Sequence, residues 1–354
     1  MRGAPLVHLV DPDGPGASRW LHALAARHAE GAPIIALGAR PVAGAALRVP
    51  VPAGDRGLAA RALERALDEI EPAAVMAWGV RAIDVAVRAR DAARRWLVMD
   101  AVPAVRSIPF DAEIACLSDA VADRASAAGW PPMRMRVLRA PVPVMAEPDE
   151  DGAICQAWRK AHGIATEAFV VGLMPGAAHA GDALAALHAV GRVRMVGLDA
   201  HLVLQPDAGH AGAMQAFARS IGLRSAVHFI EGPIVCDAIA PAIDAWVSLP
   251  GPGVDGTALD PMVAAGLLSP LVAQRGSLAA ASIDDGVDGV LAEPPNGFAA
   301  ALLKLAREPA RRRELAMAAR VRHAAGPVRQ AFAAFVAEVA SSPARAAKQV
   351  AASA

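Results

Sequence analysis

Short apolar segments alternate with longer helix-like segments along almost the whole sequence. Segments such as PIIAL (33–37) and FVVGLM (169–174) are apolar at successive positions, a pattern typical of parallel strands that are buried on both faces. The segments RGLAARALERALDEIE (56–71) and GAMQAFARSIGL (212–223) have the periodicity of amphipathic helices. Parallel strands are joined by right-handed crossovers, which place helices on both faces of a sheet. The sequence therefore predicts an α/β fold with doubly wound parallel sheets.

The apolar segments form two groups, one in each half of the chain. The first group lies at 5–10, 33–37, 73–78, 95–100, 113–118 and 135–142. The second group lies at 169–174, 201–206, 226–232, 245–250, 269–274 and 289–294. Between them, APVPVMAEPDEDGA (140–153) is rich in Pro, Asp and Glu without periodicity, which is typical of a linker between domains.

The length of 354 residues fits two domains of ordinary size. We predict a Rossmann-like N-terminal domain over 1–145 and a Rossmann-like C-terminal domain over 155–325. A helix within 326–354 is expected to return toward the N-terminal domain and to fray at its end. Open α/β sheets bind ligands at the carboxyl ends of their strands, so the two domains are expected to face one another across a ligand-binding cleft.

Composition argues against several classes of function. Lys plus Arg and Asp plus Glu both number 35, so the net charge is zero, whereas a nucleic-acid partner normally demands a basic surface. The three cysteines, Cys116, Cys155 and Cys236, are far apart and have no zinc-site spacing, so no metal site is expected. The apolar run before Asp11 is too short for a signal peptide or a membrane span. A cytoplasmic chain with reduced thiols is therefore expected, and peripheral contact with a membrane stays open.

Several segments in order resemble family 4 glycosyltransferases of the GT-B fold. HLVDPDGPGASRWLHALA resembles the first strand and glycine-rich loop of that family, and IACLSDAVADRASAAGWPPMRMRVLRAPV resembles the end of its N-terminal domain. WRKAHGIATEAFVVGLM, GLRSAVHFIEG, DPMVAAGLLSPLVA and IDDGVDGVLAEPP resemble successive parts of its donor domain, and LLKLAREPARRRELAMAARVR resembles the helices that follow. The resemblance covers nearly the whole chain and implies two Rossmann-like domains facing across a cleft.

The resemblance implies transfer of a sugar, of the hexosyl type, from a nucleotide-diphosphate sugar to an acceptor in glycan or surface-polysaccharide synthesis. The donor binds to the C-terminal domain and the acceptor to the N-terminal domain, and usually no metal or other cofactor is needed. In this family an Arg and a Lys in the first donor-domain loop meet the diphosphate, together with backbone N–H groups at helix N-termini. Two glutamates seven residues apart hold the sugar and the ribose, and a histidine of the acceptor domain lies near the transferring carbon.

The predicted diphosphate loop lacks both basic residues. In PGAAHAGD, Gly176 stands where the family has its Arg, and Ala180 or Gly181 where it has its Lys. His179 is the loop's only side chain that can become cationic. It titrates near neutrality, so it cannot replace two fixed positive charges. A solvent-exposed loop histidine is the competing interpretation of His179.

The two glutamates are also missing from GPGVDGTALDPMVAAG (251–266). Asp260 takes the place of the second glutamate and Pro252 that of the first, unless a gap of one residue brings Asp255 there. Gly253 belongs to the same loop. Asp260 has a structural interpretation as well, because Asp followed by Pro261 is typical of a helix N-cap with proline at the first helical position.

Other candidate positions are weaker. The histidine of the acceptor domain aligns with Asp100, and Gly14 and Gly16 form a glycine-rich loop before a helix, which can bind an anion. Arg275 follows SPLVAQ and either approaches the diphosphate or is a solvated loop residue. Ser118 has no neighbouring base and is interpreted as a helix cap rather than a nucleophile.

We therefore predict Asp100, Asp255 and Asp260 as catalytic candidates, and weak or absent activity. The predicted substrate-binding residues are Gly14, Gly16, Gly176, His179, Gly253 and Arg275. Losing one contact to a developing charge costs about 3 kcal/mol, or roughly a hundredfold in rate, and several contacts are missing here. The alternative is a non-catalytic homologue that acts as partner or regulator of an active glycosyltransferase. An NAD-dependent enzyme is a poorer interpretation, because the first loop has GPG rather than a complete GxGxxG motif.

Overall fold

The computed structural model forms two compact units, each with its own parallel sheet. It describes residues 6–11, 32–38, 45–49, 55–90, 94–103, 112–139, 152–174, 180–205, 211–230, 239–250, 257–294, 296–323 and 326–341. The N-terminal unit comprises Met1–Ala140 with Pro327–Ala354, and the C-terminal unit comprises Pro141–Gly326. The α/β architecture with parallel sheets that the sequence predicts is confirmed.

The N-terminal unit contains a seven-stranded parallel sheet with the strand order β3-β2-β1-β4-β5-β6-β7. Its strands are β1 (Leu6–Val10), β2 (Ile34–Leu37), β3 (Ala45–Val49), β4 (Ala74–Trp78), β5 (Arg94–Met99), β6 (Glu113–Cys116) and β7 (Met135–Val137). Its described helices are α1 (Arg56–Ile70), α2 (Val80–Arg88), α3 (Asp119–Ala127) and, from the end of the chain, α10 (Gly326–Ser341). The strand order reverses at β1 and β4, where doubly wound sheets place their ligands.

Polar caps account for where the helices of the N-terminal unit begin. The Asp55 carboxylate accepts the Leu58 backbone N–H at 2.9 Å, so α1 begins at the next residue, Arg56. The Ser118 hydroxyl accepts the Val121 backbone N–H at 3.2 Å, which confirms the predicted capping role of Ser118.

Helix α10 packs against the sheet of the N-terminal unit. The ring centre of Phe332 lies 6.0 Å from that of Trp78, and the Phe335 ring meets Trp96 edge-on at 5.0 Å. The Arg136 guanidinium donates to both carboxylate oxygens of Glu338 at 2.9 Å. Buried aromatic pairs contribute stability beyond their apolar area, so this helix is part of the core of the N-terminal unit.

The C-terminal unit contains a six-stranded parallel sheet with the strand order β10-β9-β8-β11-β12-β13. Its strands are β8 (Phe169–Leu173), β9 (Ala200–Leu204), β10 (Val227–Phe229), β11 (Ala245–Ser248), β12 (Leu271–Gln274) and β13 (Val290–Ala292). Its described helices are α4 (Ala153–Ala161), α5 (Ala180–Met195), α6 (Ala211–Ser220), α7 (Asp260–Gly266), α8 (Asn296–Arg307) and α9 (Pro309–His323). Gly172 in β8 is required by packing, because a Cβ atom there would lie 2.6 Å from the Trp246 ring.

A buried arginine connects α4 to the sheet of the C-terminal unit. Arg159 donates to three backbone carbonyl oxygens at 2.8–2.9 Å and to the Asp244 carboxylate at 2.8 Å. The same carboxylate accepts the Val170 backbone N–H at 2.8 Å and an Arg312 N–H at 3.2 Å. Because both charges are paired and hydrogen-bonded, Arg159 is tolerated in a site where it is 6% exposed.

Most predicted elements match described ones, with differences of a few residues at their ends. Strand β3 was not predicted, because AALRV combines alanine with arginine and does not form an apolar run. It lies at the edge of its sheet, where one neighbour is missing. The predicted helix 212–223 ends earlier, at Ser220. Most of the predicted linker, residues 140–151, lies outside the described residues.

Candidate functional site

The carboxyl edge of the C-terminal sheet is where a fold of this kind binds ligands. Strands β8, β11 and β12 are neighbours and parallel, with Ser248 paired to Ala273. Their carboxyl ends therefore open on the same edge. Neighbouring strands are about 4.8 Å apart, so side chains at the ends of β11 and β12 fall within reach of one small ligand.

A buried hydrogen bond joins the end of β11 to the start of α7. The Ser248 hydroxyl donates to Oδ2 of Asp260 at 2.5 Å, and the two residues are 2% and 4% exposed. A short bond from a hydroxyl to a carboxylate is stronger than one between neutral groups. Asp260 is thereby held against the last residue of the strand, at the carboxyl edge.

The prediction that Asp260 is a helix N-cap is wrong by one residue. Leu259 occupies the cap position, and Asp260 is the first residue of α7. The turn before the helix is stabilised by Thr257, whose hydroxyl accepts the Leu259 backbone N–H at 3.1 Å. The hydroxyl of Thr257, three residues before the first residue of α7, thus stabilises the turn that leads into the helix, and no side chain caps the helix itself.

Arg275 follows β12 directly and is engaged by two carboxylates. Its guanidinium lies 2.8 Å from an Asp285 oxygen and 3.8 Å from a Glu293 oxygen, and it donates to the Leu291 carbonyl at 3.1 Å. One positive charge is shared between two negative ones, so this group carries a formal charge of −1. The side chain is about half exposed, so the group remains in contact with solvent.

The Asp285 carboxylate is the better-held partner of Arg275. Burial acts to raise the pKa of Asp285, but the Leu291 backbone N–H and the Arg275 guanidinium outweigh it and lower that pKa. The Leu291 backbone nitrogen lies 2.8 Å from Oδ1 of Asp285. Asp285 is therefore charged at neutral pH and holds Arg275 toward β13 rather than toward the end of β11.

The carboxyl edge of the N-terminal sheet carries two buried aspartates. Asp11 follows β1 and is 1% exposed, and Asp100 follows β5 and is 5% exposed. Strand β4 lies between β1 and β5, so the backbones of these aspartates are roughly 10 Å apart. The Arg81 guanidinium of α2 lies 3.4 Å from the Asp11 carboxylate.

The structure describes three of the nine predicted site residues. Asp260 and Arg275 lie at neighbouring strand ends of the C-terminal sheet, and Asp100 lies at the carboxyl edge of the N-terminal sheet. The other six lie outside the described residues, namely Gly14, Gly16, Gly176, His179, Gly253 and Asp255. The roles assigned to all nine stay predictions.

Three polar residues at these edges were missed. Ser248 interrupts the apolar run AWVSLP, and this was a usable signal, because a polar residue at the end of a buried strand points to the carboxyl edge. Asp11 follows LVHLV in the same way. Arg81 gives no signal, because its role depends on α2 starting beside the end of β1.

No three His, Cys, Asp or Glu side chains in the part of the chain that the structure describes are placed so that they could hold a metal ion. No helix among the described residues has the length and apolar character needed to cross a membrane.

Comparisons by sequence found no relative of this chain. No protein-family model matches it, and no curated protein matches it.

Comparison with solved structures found matches over nearly the whole chain. WaaG, a glycosyltransferase involved in lipopolysaccharide biosynthesis, matches with a TM-score of 0.70 at 14% identity and covers 95% of this chain and 99% of its own. Anabaena HepE in complex with UDP and glucose matches with a TM-score of 0.71 at 14% identity, covering 94% and 99%.

A putative UDP-N-acetylglucosamine 2-epimerase from Listeria monocytogenes matches as well, with a TM-score of 0.64 at 12% identity over 96% of both chains. Because identities this low establish the fold alone, and the fold also occurs in an epimerase, the reaction must be argued from the site. The strand orders of both sheets and the matches to WaaG and HepE show that this chain has the GT-B fold of glycosyltransferases.

Proposed function

We propose that this chain is a glycosyltransferase-like protein that binds a nucleotide-diphosphate sugar weakly at the carboxyl edge of its C-terminal sheet. Transfer to an acceptor at the N-terminal unit is very slow or absent. Support comes from the fold, from the ordered resemblance to family 4 glycosyltransferases, and from HepE, which was solved with UDP and with UDP-glucose. The role of WaaG in lipopolysaccharide biosynthesis favours a glycan or surface-polysaccharide acceptor.

The pairing of Arg275 carries the proposal of weak binding. A diphosphate is well solvated in water, so its site must supply donors and positive charge to offset desolvation. Arg275 is well placed for this at the end of β12, but Asp285 and Glu293 already neutralise it. Gly176 and Ala180 occupy the positions where the resemblance implies basic residues. Binding would then rest on backbone N–H groups, which bring no net charge.

Asp260 is the proposed partner of a donor hydroxyl. Ser248 fixes one of its oxygens, and an ionised carboxylate can accept more than one hydrogen bond. Asp255, Gly253, Gly176 and His179, which lie outside the described residues, are proposed to contribute as well.

The acceptor side is proposed to lie at the carboxyl edge of the N-terminal sheet, with Asp100 near the transferring carbon. Gly14 and Gly16 would supply backbone N–H groups there. Among the described residues, Asp11 and Arg81 lie at the same edge as Asp100.

Calorimetric titration with UDP-glucose and GDP-mannose tests the proposal. We expect the wild-type chain to bind in the high micromolar to millimolar range, because several charge contacts are missing, each of the order of 3 kcal/mol. Gly176→Arg with Ala180→Lys restores the two charges and is expected to strengthen binding at least tenfold.

The matched control places the same charges at the same spacing on α6. Gly212→Arg with Ala216→Lys alters exposed positions, and a side chain at Gly212 meets no atom within 4 Å. This variant is expected to bind as the wild type does. Low-micromolar binding or brisk hydrolysis of the donor by the wild type would contradict the proposal.

The missing Arg, Lys and glutamates also favour a second candidate, a non-catalytic partner or regulator of an active glycosyltransferase. Under that function, neither the wild type nor the double variant binds a nucleotide sugar. Mixing the chain with such a transferase would then change the rate of the transferase.

A further inference from the structure

Three histidines gather on one face of the C-terminal sheet, away from the candidate donor site. His201 is the second residue of β9, and His228 is the middle residue of β10, the strand at the edge of the sheet. His228 pairs with Val203, so it lies on the same face as His201. His162 follows the end of α4. His201 lies near the amino end of its strand, at the opposite end of the sheet from Ser248 and Arg275.

The two strand histidines meet through their ring nitrogens. Nδ1 of His201 lies 3.1 Å from Nε2 of His228, and the ring centres are 5.3 Å apart. Two imidazole nitrogens bound tetrahedrally to one zinc ion at 2.0–2.1 Å would be about 3.3 Å apart. The observed separation is therefore close to that of two ligands of one ion.

The proton on His201 is fixed by a carboxylate. Nε2 of His201 lies 3.1 Å from Oδ1 of Asp199, which can only accept when ionised. Nε2 therefore carries the proton, and Nδ1 presents its lone pair to His228. An Arg194 N–H at 2.8 Å holds the same Asp199 oxygen in place. A carboxylate behind a histidine is the usual support of metal-binding imidazoles, because it fixes the tautomer and the ring orientation.

His162 packs beside His228 and has its own hydrogen-bond partner. Its Nδ1 lies 2.8 Å from the Trp158 carbonyl oxygen, so Nδ1 donates and Nε2 of the neutral ring is left with its lone pair. The ring stacks on Trp158 at 4.0 Å, and its centre is 5.9 Å from that of His228. This separation is only slightly larger than the one between His201 and His228.

We propose that Nδ1 of His201 and Nε2 of His228 bind a divalent transition-metal ion of the Zn²⁺, Ni²⁺ or Cu²⁺ class. Imidazole nitrogen favours these ions over Mg²⁺ and Ca²⁺, which take oxygen ligands. Binding moves the proton of His228 from Nε2 to Nδ1, and no proton leaves the protein. Water completes the coordination. The site does not depend on the proposed glycosyltransferase function.

The electrostatic environment keeps both ligands in the neutral form that binds metal. Burial lowers the pKa of His201, against the opposing effect of Asp199. Burial and the neighbouring His201 and His162 lower the pKa of His228 to about 4. Protons therefore do not compete for these nitrogens at neutral pH.

Titration of the full chain with Zn²⁺ and Ni²⁺ at pH 7.5 tests the site, with Mg²⁺ as the control ion. We expect one Zn²⁺ or Ni²⁺ to bind with micromolar affinity and to raise the melting temperature, since an ion that binds only the folded state stabilises it. His201→Gln and His228→Gln are each expected to weaken binding at least tenfold. His188→Gln, an exposed histidine elsewhere in the C-terminal unit, should bind as the wild type does.

A milder variant keeps the test valid if the histidine variants do not fold. Asp199 is half exposed, and Asp199→Asn leaves both ligands in place, so it is expected to fold and to weaken binding tenfold to a hundredfold. Far-UV circular dichroism verifies folding of every variant. The proposal is overturned if the wild type binds neither ion below 1 mM, or if folded His201 and His228 variants bind as tightly as the wild type.

Discussion

Two carboxylates near the carboxyl edge of the C-terminal sheet differ in their surroundings, and this decides what a substitution at each one measures. Asp260 is buried against Ser248, whereas Asp285 is about 42% exposed beside Arg275. A buried hydrogen bond to a charged group contributes to stability, and an exposed ion pair contributes little. A change at Asp260 therefore affects stability as well as the proposed donor contact, whereas a change at Asp285 tests ligand binding with little effect on stability.

Asp285→Asn is expected to strengthen binding of UDP-glucose three- to tenfold, because it releases Arg275 from its closer negative partner. The amide oxygen can still accept the Leu291 N–H, so the free energy of unfolding should change by less than about 1 kcal/mol. Calorimetry measures the affinity. Glu314→Gln removes the same charge from an exposed pair with Arg311 and is expected to leave the affinity unchanged. Equal affinity in wild type and Asp285→Asn would contradict a role for Arg275.

Ser248→Ala is expected to destabilise the chain by about 1–3 kcal/mol, because it removes a donor from a buried carboxylate. Urea unfolding measures the change. Ser220→Ala, which removes an exposed hydroxyl from the end of α6, should change stability by less than about 0.5 kcal/mol. If the two variants unfold alike, the bond between Ser248 and Asp260 does not stabilise the fold.

At the scale of elements, the sequence alone was sufficient to predict those helices and strands whose signal is local. Short apolar runs predicted twelve of the thirteen strands that the structure describes, and Ser118 predicted the start of α3. Strand β3 was missed because its stability comes from pairing with β2, a contact that its own five residues do not encode. Asp260 could be placed near the site but not assigned its partner, because Ser248 meets it only after the turn forms. Arg159 and the paired histidines were missed for the same reason, since their partners are distant in sequence.

Arg159→Met is expected to destabilise the chain by about 3–5 kcal/mol, because it leaves the partly buried Asp244 carboxylate without one of its cations and three carbonyls without a donor. Urea unfolding followed by circular dichroism measures the loss. Lys160→Met changes the adjacent exposed residue of α4 and serves as the control. A loss under 1 kcal/mol would mean that α4 is held by its apolar contacts instead.

At the scale of the whole molecule, the N-terminal unit is assembled from both ends of the sequence. Residues Met1–Ala140 supply its sheet, and Pro327–Ala354 supply the helix that covers two of its tryptophans. The C-terminal unit is one continuous stretch between them. The stability of the N-terminal unit therefore depends on a helix that is far in sequence from the strands it covers.

Phe332→Ala and Phe335→Ala are each expected to cost about 3–5 kcal/mol, because each leaves a cavity against a buried tryptophan. Unfolding in urea followed by tryptophan fluorescence measures the loss. Gln330→Ala alters an exposed residue of the same helix and should be neutral. Wild-type stability in both phenylalanine variants would show that α10 is dispensable for the N-terminal unit.

The position of α10 also fixes the order in which the chain can fold during translation. A ribosome delivers the seven strands of the first sheet long before Phe332 and Phe335 exist, so Trp78 and Trp96 emerge without their cover. The C-terminal unit is complete when Gly326 has been made, and all its elements are then available. The unit that begins first is therefore finished last, and the apolar surface around Trp78 and Trp96 stays uncovered until the end of the chain has been made.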